Sequence, residues 1–169
     1  MGVWTRMKRD VGENGDGARA KLPPGVRREL LLYVEDEDDN WEVAELRLSS
    51  SYEMLRASTA EQACQILRAR RSEIDLILMD IELRGSDLNG VELTGLLRGN
   101  SLPAHRSLPG YARNLPLISK PVIYVTAHGS RYTSVQLMLS GADRVITKPV
   151  NFGDLREALS ELLSVRTGA

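Results

Sequence analysis

The sequence predicts an α/β fold: a doubly wound, five-stranded parallel sheet with helices on both faces. Five short apolar runs alternate with segments of helical periodicity, and polar clusters bound each run. Strands buried on both faces of a parallel sheet read as continuous apolar runs rather than as alternating ones. The chain has 169 residues, of which 42% are hydrophobic, so one domain with a core of useful size fits its length.

Each predicted strand is justified by its composition and by what bounds it. The first and third runs, Leu-Leu-Leu-Tyr-Val and Leu-Ile-Leu-Met, are wholly apolar and too short for helices. The second run, Met-Leu-Arg-Ala, is weaker, whereas the fourth ends on threonine and the fifth runs into Lys-Pro. In chain order, the predicted strands cover residues 30–34, 54–57, 76–80, 121–126 and 144–147.

The predicted helices are recognised by their caps and by their apolar spacing. Asp39 and Thr59 each have Glu or Gln three residues later, as in a capping box. Gly141 closes the fourth helix and Asn151 caps the fifth. In chain order, helices are predicted from 39 to about 50, from 59 onward, over 91–98 after an Asn89-Gly90 turn, over 131–140, and from 151 to about 165.

Two segments fall outside this alternation. Residues 1–28 hold seven basic and three acidic residues and are predicted to be a flexible, basic N-terminal extension. Residues 99–120 hold three prolines, three basic residues and no acid, and we interpret them as an insertion. Because a helix-to-strand connection lies at the amino ends of parallel strands, we expect the insertion there, as a partner surface or as a solvated loop. The ordered domain would then be 29–166, with no output domain.

Composition excludes several classes of function. The single cysteine, Cys64, excludes an intramolecular disulfide and a cysteine-based zinc cluster, and we predict it to be a small core residue. Two histidines offer little for a metal or catalytic-triad site, and His105 is predicted to be exposed. No apolar window is long enough for a membrane span or a signal peptide. A cytoplasmic protein without membrane contact is therefore expected.

Polar side chains stand where four of the predicted strands end. Glu35 and Asp36 follow the first strand, Asp80 ends the third, Thr126 ends the fourth, and Lys148 follows the fifth. Ligands of open α/β sheets bind at this carboxyl edge. Crowded carboxylates repel one another unless a cation intervenes, and Mg²⁺ prefers oxygen ligands. A carboxylate beside Mg²⁺ can accept a phosphoryl group, whose oxygens an ammonium and a hydroxyl would hold.

The segments that carry these residues resemble the CheY-like receiver domain of two-component response regulators over residues 29–166. The similar segments are Leu32–Asp36, Leu78–Asp80, Val125–Ala127 and Thr147–Pro149. The resemblance implies a flavodoxin-like sheet with strand order 2-1-3-4-5. It also implies a stand-alone phosphorylation switch that is not a conventional enzyme. Its expected partners are a sensor histidine kinase or phosphotransfer protein and a downstream target, without a DNA-binding domain of its own.

The resemblance also implies a role for each residue of the site. Asp80 would be the phosphoacceptor, and Thr126 and Lys148 would bind the phosphoryl group. His128 and Pro149 would flank the site, with a cis Lys148-Pro149 bond. The expected Mg²⁺ site consists of Asp36 as a direct ligand, Asp80, the backbone carbonyl of Glu82, and Glu35 acting mainly through water.

The chain departs from the family at the expected switch position. Val145 stands where many receivers have Tyr or Phe, so Tyr124, Tyr132 or a backbone shift would have to take over. Residues 131–166 are the expected output surface, and Val145 leaves a homodimer through it open. One alternative is a pseudo-receiver that acts as a phosphorylation-independent interaction module. A further alternative, with Glu82 as a second acid, is a Mg²⁺-dependent phosphohydrolase with an aspartyl nucleophile.

Overall fold

The computed structural model describes residues 27–127 and 131–164, and within them strands and helices alternate along the whole chain. The strands are β1 (Leu30–Val34), β2 (Glu53–Ala57), β3 (Ile74–Asp80), β4 (Val122–Ala127) and β5 (Arg144–Lys148). The helices are α1 (Asp38–Leu48), α2 (Ala60–Arg70), α3 (Gly90–Leu97), α4 (Ser134–Leu139) and α5 (Phe152–Ser164), and a 3₁₀ turn covers Gly110–Ala112.

The five strands form one parallel sheet in the order β2-β1-β3-β4-β5, which confirms the predicted fold class. The chain runs outward from β1 to β2 on one side and from β3 to β5 on the other. The strand order therefore reverses between β1 and β3, where α/β sheets form a crevice at their carboxyl edge. The ends of β1 and β3 both open into this crevice.

The core has two layers, one on each face of the sheet. Successive side chains of a strand point to opposite faces, so Leu32 and Val34 pack in one layer while Leu31 and Tyr33 pack in the other. The first layer is covered by α2, α3 and α4, and the second by α1 and α5. Cys64 is fully buried in the first layer, as predicted.

Most of the predicted caps are confirmed. The Thr59 side chain accepts a hydrogen bond from the backbone N–H of Gln62, and Asn151 accepts one from that of Gly153. Gly141 ends the α4 segment with a φ of 112°, which lies in the left-handed region that glycine tolerates best.

Three helix starts differ from the predicted ones, two by one residue and the third by three. Helix α1 begins at Asp38 after Glu37, so Asp39 lies in its first turn, where a carboxylate favours the helix dipole without capping it. Helix α3 begins at Gly90 rather than at 91, directly after the predicted turn residue Asn89, which forms a complete capping box with Glu92. Helix α4 begins at Ser134 rather than at 131, because Thr133 caps it in the same way.

The later part of the insertion is packed against the domain, whereas residues 103–108 are exposed. Its Ala112 and Ile118 side chains are buried in the first core layer. The guanidinium of Arg68 on α2 donates to the carbonyl oxygens of Tyr111 and Arg113 at 2.6 and 2.8 Å. These contacts fold residues 99–120 over α2 and α3.

The expectation that the insertion lies wholly at the amino edge was wrong. The Arg106 guanidinium pairs with Glu92, which lies in the first turn of α3 and therefore at the carboxyl edge. The physical reason is length. Helix α3 has eight residues and spans about 12 Å, a distance that four extended residues of the insertion can cover.

The remaining sequence expectations concern the N-terminal segment, the two histidines and contact with a membrane. Residues 1–26, most of the proposed extension, lie outside the described residues, as does His128. Arg27 forms a two-pronged ion pair with Asp75 at the amino edge of the sheet. His105 is exposed, as predicted. Among the helices that the structure describes, none has the length and apolarity to cross a membrane.

Candidate functional site

Three carboxylates meet at the crevice between β1 and β3. Glu35 and Asp36 directly follow β1, and Asp80 is the last residue of β3. One oxygen of each carboxylate lies within 4.8 Å of the other two. The predicted convergence of these residues is therefore confirmed, because parallel strands bring their carboxyl ends to one edge.

A lysine joins two of the three acids. The Lys148 ammonium at the end of β5 lies 2.6 Å from Asp80 Oδ2 and 2.9 Å from Glu35 Oε2. The Lys148-Pro149 peptide bond is cis, as the resemblance implied, and Pro149 is exposed. The site thus holds its own cation between two buried carboxylates.

Glu35 is fully buried and has more partners than the sequence suggested. Its carboxylate accepts hydrogen bonds from the Tyr33 hydroxyl at 2.7 Å and from the Asn40 amide at 3.1 Å. Burial raises the pKa of Glu35, but the bonds from Lys148, Asn40 and Tyr33 outweigh it and leave that pKa below its ordinary value. Glu35 is therefore charged at neutral pH. Tyr33 was missed, although its position two residues before Glu35 on one strand was a usable signal.

The pKa of Asp80 is shifted in the opposite direction to that of Glu35. Burial raises the pKa of its carboxyl to about 6, and the nearby charge of Glu35 adds to this effect, while Lys148 opposes it. Asp80 Oδ1 also accepts a long hydrogen bond, 3.2 Å, from the backbone N–H of Glu82. The charged form of Asp80 is thus disfavoured in this site, and an additional cation would stabilise it.

Asp36 supplies an oxygen for which the described residues offer no hydrogen-bond donor. Its Oδ1 is buried and accepts no hydrogen bond from the described residues, while its Oδ2 accepts one from the backbone N–H of Arg84 at 3.2 Å. A buried carboxylate oxygen without a donor is costly unless a cation binds it. With three carboxylate oxygens so close, the residues present fit a hard divalent ion such as Mg²⁺.

Arg56 on β2 holds the turn that carries Asp36. Its guanidinium donates to the carbonyl oxygens of Glu35 and Asp36 at 3.1 and 3.0 Å and forms an ion pair with Asp38 at 2.7 Å. No local signal in the sequence identifies Arg56, because its role depends on the pairing of β1 with β2.

The remaining predicted residues occupy three different settings. Thr126 is buried one residue beyond Val125, the register partner of Asp80 on β4, and its hydroxyl donates a long bond, 3.2 Å, to the Ala127 carbonyl. The side chain of Glu82 is exposed beside the crevice. Val145 is half-buried in the middle of β5.

The two tyrosines considered in place of Val145 differ in their surroundings. Tyr124 is fully buried, and its hydroxyl lies 2.8 Å from that of Ser140. Tyr132, which precedes α4, is half-buried, and its hydroxyl accepts a hydrogen bond from the Asn89 amide at 3.2 Å. Tyr132 therefore connects the segment after β4 with the start of α3.

Known proteins share both the sequence pattern and the fold. The family model of the response regulator receiver domain matches residues 31–160. The phosphate regulon transcriptional regulatory protein PhoB of Pseudomonas aeruginosa is 32% identical over 139 residues, which are 82% of this chain and 52% of that protein. The transcriptional regulatory protein YrkP of Bacillus subtilis is 27% identical over 126 residues, 74% of this chain and 45% of that protein.

A solved structure agrees with these sequence matches. The receiver domain of NtrX from Brucella abortus is 27% identical with a TM-score of 0.62, and the match covers 79% of this chain and 98% of that structure. The chain spans about half or less of the length of the two curated relatives. The chain therefore belongs to the response regulator receiver domain family of two-component signalling, whose members are not conventional enzymes.

Proposed function

We propose that the chain is a phosphorylation-dependent signalling switch whose phosphoacceptor is Asp80. The observation that carries the proposal is the arrangement of charged groups around Asp80. Lys148 bridges Asp80 and Glu35, and beside them lies a buried oxygen of Asp36 that no described donor satisfies. This is a site with one cation in place and room for a second.

The chemistry follows from the charges in the crevice. An Asp80 oxygen attacks the phosphorus of a phosphohistidine, a new P–O bond forms, and the P–N bond breaks with its electron pair leaving on the imidazole. Three charged oxygens then stand at the end of β3. Lys148, now 2.6 Å from Asp80, would pair with one of them, and the Thr126 hydroxyl would donate to another.

The proposed metal ligands are the carboxylates of Glu35, Asp36 and Asp80 and the backbone carbonyl of Glu82. When bound, Mg²⁺ supplies positive charge to the oxygens of the transferring group. Before the metal binds, Lys148 keeps Glu35 and Asp80 together despite their like charges. Arg56 fixes the backbone that presents Asp36.

The donor in this proposal is a sensor histidine kinase or a phosphotransfer protein in the cytoplasm. Phosphorylation adds charge and acceptor oxygens at Asp80, and Thr126 moves toward them. The output surface is proposed to include α4, whose Val135 and Leu139 side chains are exposed. His128 and Pro149 would flank the phosphoryl group.

The test is intact-mass measurement after incubation with acetyl phosphate and Mg²⁺, with EDTA in a parallel sample. We expect one added phosphoryl group in the wild type with Mg²⁺ and none with EDTA. Asp80→Asn should abolish the gain. Asp154→Asn, which removes an exposed carboxylate at the start of α5, should leave it unchanged.

The alternative is a pseudo-receiver that binds partners without phosphorylation. The specific observation in its favour is Val145, which has no aromatic ring to rotate between buried and exposed positions. Absence of labelling under conditions that phosphorylate a reference receiver would favour this alternative. Hydrolysis of a generic phosphate ester that depends on Asp80 would instead favour a phosphohydrolase.

A further inference from the structure

We propose that Arg106 is a positioning residue that ties the insertion to the loop after Asp80. As a result, docking of the insertion and occupation of the site by Mg²⁺ stabilise each other. The inference rests on the proposed function, because the occupant is the metal ion proposed there. It gives residues 99–120 a regulatory role at the same site.

The first step is the geometry of the Arg106 side chain. Its Nε lies 2.8 Å from Glu92 Oε1 and its Nη2 lies 3.0 Å from Glu92 Oε2. Nη2 also donates to the backbone carbonyl of Asp87. A planar guanidinium that holds both oxygens of a carboxylate fixes orientation as well as distance.

The second step is the position of Glu92 at the start of α3. Its Oε2 also accepts the backbone N–H of Asn89 at 3.0 Å, and its own N–H donates to Asn89 Oδ1 at 2.9 Å. Arg106 therefore binds a carboxylate that is already fixed by a capping box. The contact is made to the end of the loop and not to the middle of the helix.

The loop of residues 81–89 connects the capping box of α3 with the acidic site. At its beginning, the N–H groups of Glu82 and Arg84 donate to Asp80 and Asp36, respectively. At its end, the N–H of Gly90 donates to the Ile81 carbonyl at 2.9 Å, which closes the loop. The loop that contacts two of the acids is thus held at its far end by Arg106.

The tip of the insertion, which carries Arg106, is exposed, whereas Ala112 and Ile118 anchor its later part in the core. An open cleft of about 1040 Å³ lies beside this contact, and Arg106, Glu92 and Tyr132 are among the residues that line it. Residues 103–108 are exposed on the outer side of this cavity. The Asn89 amide on the inner side donates to the Tyr132 hydroxyl. Movement of the insertion or of Tyr132 therefore changes the contacts of Asn89 and Glu92, which form the capping box of α3.

Thermodynamic linkage requires that docking of the insertion and binding of Mg²⁺ affect each other equally. If the docked insertion favours the loop conformation that binds Mg²⁺, then Mg²⁺ favours the docked insertion by the same factor. Coupling between two sites in one domain is ordinarily about 5-fold or more. Removal of Arg106 should therefore weaken Mg²⁺ binding, and Mg²⁺ should protect the insertion.

The experiment combines two measurements on the full chain. Isothermal titration with Mg²⁺ alone is run on the wild type and on Arg106→Ala, Arg106→Lys and Arg113→Ala. Hydrogen exchange of peptides within 81–92 and 103–113 is followed with and without Mg²⁺. Arg113→Ala is the matched control, because it removes the same charge from an exposed side chain of the same insertion.

We expect Arg106→Ala to weaken Mg²⁺ affinity about fivefold. Arg106→Lys should lie between it and the wild type, and Arg113→Ala should match the wild type. In the wild type, Mg²⁺ should slow exchange in 103–113, and in Arg106→Ala it should not. Equal Mg²⁺ affinity for Arg106→Ala and the wild type, or no Mg²⁺ effect on exchange in 103–113, would overturn the inference.

Two further outcomes separate this inference from the proposed function. A wild type that binds no Mg²⁺ and accepts no phosphoryl group overturns both. If the wild type binds Mg²⁺ and accepts a phosphoryl group, and Arg106→Ala has the same Mg²⁺ affinity, only the inference is overturned. Should Arg106→Ala fail to fold, Glu92→Gln takes its place, since glutamine keeps an acceptor for the Asn89 N–H and loses the ion pair. The same fivefold loss is expected there.

Discussion

The α-carbon of Gly90 lies directly against the main-chain carbonyl of Asp80. A Cβ at position 90 would stand 2.0 Å from that carbonyl oxygen and 2.9 Å from Met79 Cγ. The obstacle is backbone, which a rotamer change cannot relieve. The first residue of α3 therefore has no room for a side chain, and the helix begins in contact with the end of the strand that carries Asp80.

Gly90→Ala should therefore destabilise the protein by about 3 kcal/mol or more, since overpacking against backbone forces α3 away from β3. Urea unfolding followed by circular dichroism measures this change. Gly95→Ala is the matched control within α3, because the nearest atom to its Cβ would be Asn100 Cβ at an ordinary 3.7 Å. Similar unfolding free energies for the two variants would contradict the close contact.

Lys148→Met should lower the free energy of unfolding of the metal-free protein by about 3 kcal/mol at pH 8. The variant leaves the buried carboxylates of Glu35 and Asp80 facing each other without their shared cation. Saturating Mg²⁺ should restore part of the loss, because it supplies charge to the same oxygens. Thermal unfolding with and without Mg²⁺ tests this, and a variant as stable as the wild type in EDTA would count against the bridge.

Asp36→Asn should abolish the stabilisation that Mg²⁺ gives to the wild type. A ligand at ten times its dissociation constant stabilises the folded state by about 1.4 kcal/mol. The variant loses the carboxylate whose buried Oδ1 has no hydrogen-bond donor among the described residues, so its metal-free stability should not fall. Asp39→Asn, from the same acidic stretch but exposed, should keep the full Mg²⁺ effect in a thermal-shift titration.

Asp75→Asn should destabilise the protein by about 1–3 kcal/mol at neutral pH. Burial raises the pKa of Asp75, but the bonds from Arg27 and from the Leu30 N–H outweigh it and hold that pKa below its usual value. The charged form therefore stabilises the fold above the unfolded pKa of about 3.9, and this contribution is lost as the pH falls through the lower folded value.

The measurement for Asp75 is urea unfolding between pH 3 and pH 7. The difference between wild type and variant should be constant above about pH 5 and should shrink below about pH 4. Glu157→Gln, at an exposed position of α5, serves as the control and should change stability by less than about 0.5 kcal/mol. A difference for Asp75→Asn that persists undiminished at pH 3 would show that its charge contributes nothing.

The strands and the acidic cluster could be predicted because their signals are local. Apolar runs such as Leu30–Val34 identify buried strands by length, and Glu35, Asp36 and Asp80 stand directly at strand ends. Parallel pairing then brings those ends together, whatever lies between them in the chain. The start of α1 at Asp38 was less accurate, since the residue before it, Glu37, makes no capping hydrogen bond, whereas Asp39 has the capping-box spacing on which the prediction rested.

The sequence by itself determined the fold class, the sheet edge that carries the chemistry, and the residue types that meet there. Only the tertiary structure decided two ion pairs between distant positions. Arg106 pairs with Glu92, 14 residues away in the chain, and Arg27 pairs with Asp75, 48 residues away. Likewise, only the structure showed that Gly90 touches Asp80. The physical reason is that periodicity and capping act between near neighbours. Such ion pairs and close contacts form between segments whose distance is set by the packing of the helices on the sheet.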